Sequence, residues 1–108
     1  MYGLRDSDLK EIIQVLEKIP EVESVRIFGS RTKGNYRNGS DVDLAVFGKN
    51  LAFDRLLHIG AMLNEETMMP YHFDVLDYYC IQNADLVNHI DRLGKVIYSK
   101  EKRVETAH

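Results

Sequence analysis

An α+β fold, a β-sheet flanked by helices, is predicted by two observations. Helix-period apolar runs alternate with short β-type runs along the 108 residues, and most changes of period fall at a proline or glycine. Leu9, Ile12, Ile13, Leu16 and Ile19 share one face of a first helix, with Ser7 a suitable cap and Pro20 a stop. Residues 22–28 then read as a strand, 30–35 as a short helical turn and 41–47 as a second strand closed by Gly48. Phe53, Leu56, Leu57, Gly60 and Leu63 suggest a helix over 52–66, and Pro70 precedes a third strand running to Leu76. Leu86, Val87, Ile90 and Leu93 mark a helix over 82–93 that stops at Gly94, and Val96-Ile97-Tyr98 can add a last strand.

Composition narrows the function classes. A chain of 108 residues supports one core, so residues 1–98 are expected to form a single domain and 99–108, a polar end, a flexible tail. A formal charge of −3 and the absence of a long Lys/Arg run argue against general nucleic-acid binding. No stretch approaches the roughly 18 consecutive apolar residues of a membrane span, and the first residues lack a secretory pattern, so the chain reads as cytoplasmic. Cys80, the single cysteine, cannot form an internal disulfide and is expected to be a buried thiol. Asn38-Gly39-Ser40 matches a glycosylation sequon but reads better as a turn.

The chemistry concentrates between residues 28 and 44. The apolar run Val25-Arg26-Ile27-Phe28 leads into Gly29-Ser30, where a helical turn would aim backbone N–H groups at an anion and Ser30 would add a hydroxyl. Asp41 and Asp43 stand two apart in a β-type run, so both carboxylates leave the same face and can hold magnesium. Arg26, Arg31, Lys33 and Arg37 form a local basic cluster, of which Arg31 and Lys33 are best placed for phosphate. An EF-hand does not fit, because Leu44 occupies a ligand position; a P-loop does not fit, because Asn35 replaces its lysine.

The segments F-G-S-R-T-K-G (28–34) and S-D-V-D-L (40–44) closely resemble the signature of the nucleotidyltransferase superfamily, the fold of the DNA polymerase beta palm and the aminoglycoside nucleotidyltransferases. The resemblance continues into Tyr71-His72-Phe73-Asp74-Val75-Leu76, similar to the family's third strand. It implies a mixed sheet in which Gly29, Ser30 and Ser40, with Arg31 and Lys33, hold the triphosphate of ATP. It further implies that Asp41, Asp43 and Asp74 are catalytic and bind two Mg2+ ions. Thr32 stands where the family often has a small alanine, a change tolerated if its hydroxyl bonds back into the turn.

The chain's brevity resembles the minimal nucleotidyltransferases. These are commonly paired with a helical HEPN (higher eukaryotes and prokaryotes nucleotide-binding) protein in toxin-antitoxin modules, the transferase being the antitoxin that adenylylates its partner. The implied function is magnesium-dependent transfer of AMP from ATP to a hydroxyl of such a partner, in a hetero-oligomer. A nucleotide-binding subunit without turnover, or a small-molecule transferase of the aminoglycoside type, are the alternatives.

Simpler roles stand beside these. An Asp-x-Asp pair alone is more often the solvent side of an edge strand, and Asp77 competes with Asp74 for the third carboxylate. If the strand continued, Asp77 would face the other way. His58 and His89 sit in helical patterns as surface or core histidines, while His72 would share the face of Asp74. Met62, Met68 and Met69 read as packing.

Overall fold

The computed structural model describes residues 2–34 and 41–100. Its elements run α1 (Asp6–Glu17), β1 (Ser24–Phe28), α2 (Ser30–Lys33), β2 (Val42–Phe47), α3 (Phe53–Glu65), β3 (Phe73–Asp77), a 3-10 turn (Tyr78–Cys80), α4 (Ala84–Leu93) and β4 (Lys95–Ser99). The strands form a sheet of order β3-β2-β1-β4. β1 is antiparallel to both β2 and β4, whereas β2 and β3 are parallel, so the sheet is mixed as expected. The parallel pair needs a crossover, and α3 supplies it.

Period-two alternation sorts the strands into two faces. Val25 and Ile27 of β1, Val42, Leu44 and Val46 of β2, and Phe73 of β3 join Ile12 and Leu16 of α1 and Ile59, Met62 and Leu63 of α3 in the main core. Truncating one of the fully buried members, such as Ile27 or Leu44, to alanine should cost about 2–5 kcal/mol. The opposite face is thinner: Phe28 and Ala45 pack with Ile90 of α4. That face also carries Asp43, because it alternates with Val42 and Leu44.

Several local readings change. α1 is capped by Arg5 and Asp8 rather than Ser7: the buried Asp8 carboxylate accepts the Arg5 amide at 3.0 Å and the Arg5 guanidinium at 3.1 Å. Burial alone would push the Asp8 carboxyl up, but hydrogen bonds from Arg5 and from the Tyr71 hydroxyl (2.9 Å) outweigh it and hold it below the usual range. α3 forms, but it buries Ile59, Met62 and Leu63, while Phe53 and Leu57 are 73% and 57% exposed. The Phe53, Leu56 and Gly60 stripe instead lines an apolar cavity of about 690 Å³ that reaches Val75, Ile81 and Leu86. Met62 is core, whereas Met68 is exposed.

β3 extends one residue past Leu76, and the Asp77 carboxylate accepts the Tyr79 amide at 3.0 Å. Cys80 is exposed, not buried, and Asp77, by hydrogen bonding and by its charge, pushes the thiol up. Asn64 of α3 reaches the free edge of β3. Its amide oxygen accepts the Phe73 amide at 2.7 Å, and its amide nitrogen donates to the Phe73 carbonyl at 3.0 Å. Among the described residues no helix is long and apolar enough to cross a membrane.

Candidate active site

The turn after β1 is built around Gly29, whose φ of +80° is a left-handed conformation that favours glycine. A Cβ on Gly29 would lie 2.3 Å from Oδ2 of Asp43, so only glycine lets the turn back directly onto that carboxylate. The Gly29 carbonyl accepts the amides of Thr32 and Lys33, both at 3.2 Å, and the Thr32 hydroxyl at 2.9 Å. Thr32 therefore bonds back into the turn. Gly34, also at φ +80°, ends α2. Ser30 is half-buried at the start of α2, and Lys33 is exposed at its end.

Across the sheet face, the β2–β3 register sets Asp43 directly beside Asp74. Neighbouring residues in register project to the same face, so the two carboxylates meet. Burial pushes the Asp43 carboxyl up to about 6, helped by the negative charges of Asp74 and Asp41 and a hydrogen bond shared with Asp74, and opposed by Arg31. Asp41 is exposed just before β2. Asp74 is half-exposed, and His72 Nε2 lies 3.1 Å from its Oδ1. The sequence places His72 on this face, and the structure puts it in contact with Asp74. Asp77 stands in β3 at odd spacing from Asp74 and caps the following turn instead.

Arg31 is not a solvated arm. It is 3% exposed, donates from Nη1 to the Tyr2 carbonyl at 2.9 Å, and lies over the Tyr71 ring at 4.9 Å. Tyr71 in turn donates to Asp8, so a chain of contacts runs from the cap of α1 to the positive charge that opposes the shift of Asp43. Arg26 stacks over Phe47 at 4.9 Å, outside the turn. Ser40 and Arg37, and the turn expected at Asn38-Gly39, lie outside the described residues.

Sequence reading missed His89. From α4 its Nε2 accepts the Gly29 amide at 3.0 Å, an acceptor sixty residues away from its donor. No local pattern marks such a contact.

Could these residues hold magnesium? Among the described residues, no group of three or more His, Cys, Asp or Glu side chains stands close enough, as placed, to enclose a metal. The donors nevertheless fit: Asp43 and Asp74 are hard oxygen ligands in contact, Asp41 is within electrostatic reach, and their mutual repulsion is what a cation would relieve.

Residues 10–103 match the family model described as polymerase beta, nucleotidyltransferase. The chain belongs to this nucleotidyltransferase family. It is 31% identical over 106 residues to a probable protein adenylyltransferase, MntA, of Haemophilus influenzae, covering 94% of this chain and 89% of that one. A crystal structure of a toxin-antitoxin with AMP-PNP superimposes with a TM-score of 0.71 at 22% identity, covering 91% of this nucleotidyltransferase and 78% of that chain. A Shewanella oneidensis complex of a tri-AMPylated HEPN toxin with an MNT antitoxin gives 0.68 at 19% identity, covering 95% and 79%. At these identities the two structures establish a shared fold.

Proposed function

We propose that this nucleotidyltransferase carries AMP from ATP to a hydroxyl of a separate helical protein of the HEPN type, and acts as the antitoxin of that pair. The observation that carries the reading is the Asp43–Asp74 pair backed onto the Gly29-Ser30 turn, which sets metal-type carboxylates against a phosphate-type turn. Three likenesses support it: the Haemophilus relative, a probable protein adenylyltransferase, AMP-PNP in one structural neighbour, and a tri-AMPylated HEPN toxin in another.

In this reading Ser30 offers its amide and hydroxyl to the triphosphate and Lys33 swings its charge onto it, while Ser40 is assigned to the same subsite. Arg31, fixed against Tyr71, contributes a standing positive charge behind Asp43. The acceptor oxygen forms a bond to the α-phosphorus as the bond to the bridging oxygen of pyrophosphate breaks. Its proton passes to Asp74, half-open to solvent beside His72. Magnesium held by Asp41, Asp43 and Asp74 would supply neutralisation of the developing charge and polarisation of the α-phosphate.

Co-expression with the neighbouring coding sequence of the native host, purification, and intact-mass measurement of the partner before and after ATP and magnesium test the proposal. Addition of one or more AMP masses that requires Asp43 is expected. Nucleotide binding with no transfer to any co-purified protein, or efficient transfer to a small molecule without a partner, would overturn it.

A further inference from the structure

Gly29 is gripped at both of its polar ends. α2 takes the carbonyl through Thr32 and Lys33, and the amide is taken by His89 from α4 at 3.0 Å. The imidazole is itself fixed: its ring packs edge-on against Phe28, with centroids 5.9 Å apart and planes at 73°. The next residue along α4, Ile90, is buried with Phe28 and Ala45, so the helix that presents His89 is anchored to the face that carries Asp43. For Nε2 to accept, the ring must carry its proton on Nδ1.

This contact settles how the turn is used. An amide aimed at α4 cannot also aim at a phosphate, so Gly29 serves the turn by shape and Ser30 is left as its donor. Rotation of the peptide between Phe28 and Gly29 would release that amide and redirect Ser30, in a turn so close to Asp43 that even a Cβ on Gly29 would lie 2.3 Å from its Oδ2. We infer that His89 is a positioning residue for nucleotide binding, which fixes the Phe28–Gly29 peptide and thereby the direction in which Ser30 faces the triphosphate. The inference rests on the reading of this turn as the triphosphate seat. α4 is then part of the site as well as a cover for the sheet.

His89→Leu removes the acceptor while keeping apolar bulk against Phe28, and His89→Gln restores an acceptor near the position of Nε2. Calorimetry with Mg-ATP, the KM and kcat of transfer, and hydrogen exchange at the Gly29 amide are measured on the full chain with its partner. Losing the acceptor of one partly buried amide should weaken Mg-ATP binding about tenfold and speed Gly29 exchange by about as much, with KM rising more than kcat falls. His89→Gln should return both to within about threefold of the parent. Unchanged exchange in His89→Leu would overturn the contact, and changed exchange with unchanged nucleotide affinity would overturn the positioning role. Equal impairment of the Leu and Gln variants would show that the ring matters and the acceptor does not. Should the Leu variant not fold, His89→Ala takes its place in each comparison. A parent protein that binds no nucleotide would overturn the functional reading itself, while the exchange measurement still judges the hydrogen bond.

Discussion

Replacing Asp43 by asparagine should stabilise the protein at neutral pH while destroying its activity. The Asp43 carboxyl sits at about 6 against an ordinary value of 3.8, raised first by burial and then by Asp74 and Asp41. Between those two values the folded chain binds more protons than the unfolded one, so this group's contribution is fully present below about 3.8 and is lost as pH rises through about 6. Taken without screening, the gap would amount to about 3 kcal/mol. Because Asp43 is only partly buried, solvent screening reduces that to about 1 kcal/mol, which for a domain of this size moves the melting midpoint by about 5 °C. Thermal melts of parent and Asp43→Asn should be run in chelator from pH 4 to 8. The variant should melt higher at pH 8, the two should converge toward pH 4, and added magnesium should raise the parent more than the variant. A variant less stable at pH 8, or a difference that does not change with pH, would refute the argument that Asp43 carries unrelieved negative charge.

Gly29→Ala forces a side chain onto Oδ2 of Asp43 at a left-handed φ, so it should cost about 1–3 kcal/mol in denaturant melts and lose measurable Mg-ATP binding in calorimetry. Tyr71→Phe deletes the hydroxyl bonded to Asp8 and should cost about 1 kcal/mol at neutral pH. Asp8 is held below its ordinary range, so its contribution is present above that range and lost as pH falls; the Tyr71→Phe deficit should therefore shrink in acid urea titrations. Cys80, though exposed, should react with iodoacetamide at pH 7.5 more slowly than a free cysteine peptide, and Asp77→Asn should speed it.

The strands and the turn were legible because their evidence is local. Asp41, Asp43 and the Gly29-Ser30 pair announce themselves within sixteen residues or so of chain, and period-two alternation places both faces. The face of α3 was legible only in part. Of the expected stripe Phe53, Leu56, Leu57, Gly60 and Leu63, Leu63 is buried and Leu56 partly so, but Ile59 and Met62 make as good a face as Phe53 and Leu57, and only the positions of α1 and β3 decide between them. The burial of Arg31 was not legible either: Tyr2 and Tyr71, which cover it, come from distant sequence. Ser7 belongs to the usual capping residues, yet Arg5 and Asp8 form the cap because Asp8 is also needed by Tyr71. His89 left no trace in sequence, since a histidine on an amphipathic helix carries no sign of what lies opposite it. Among the tyrosines near the end of the chain, Tyr98 closes the core, Tyr78 stacks on Phe47 at 4.1 Å and donates to Asp91, and Tyr79 is exposed.

The amide of Asn64 gives the sheet an artificial neighbour. By donating to and accepting from the backbone of Phe73, one side chain imitates a single residue of a fifth strand and closes the ladder where it would otherwise invite another chain. Asp74 follows Phe73 directly, so a chain zippering along this border would cross the mouth of the carboxylate site. A plug at Phe73 denies that border to aggregation and leaves the approach to Asp74 clear, and Asn64→Ala should accordingly expose the protein to self-association before it harms the fold.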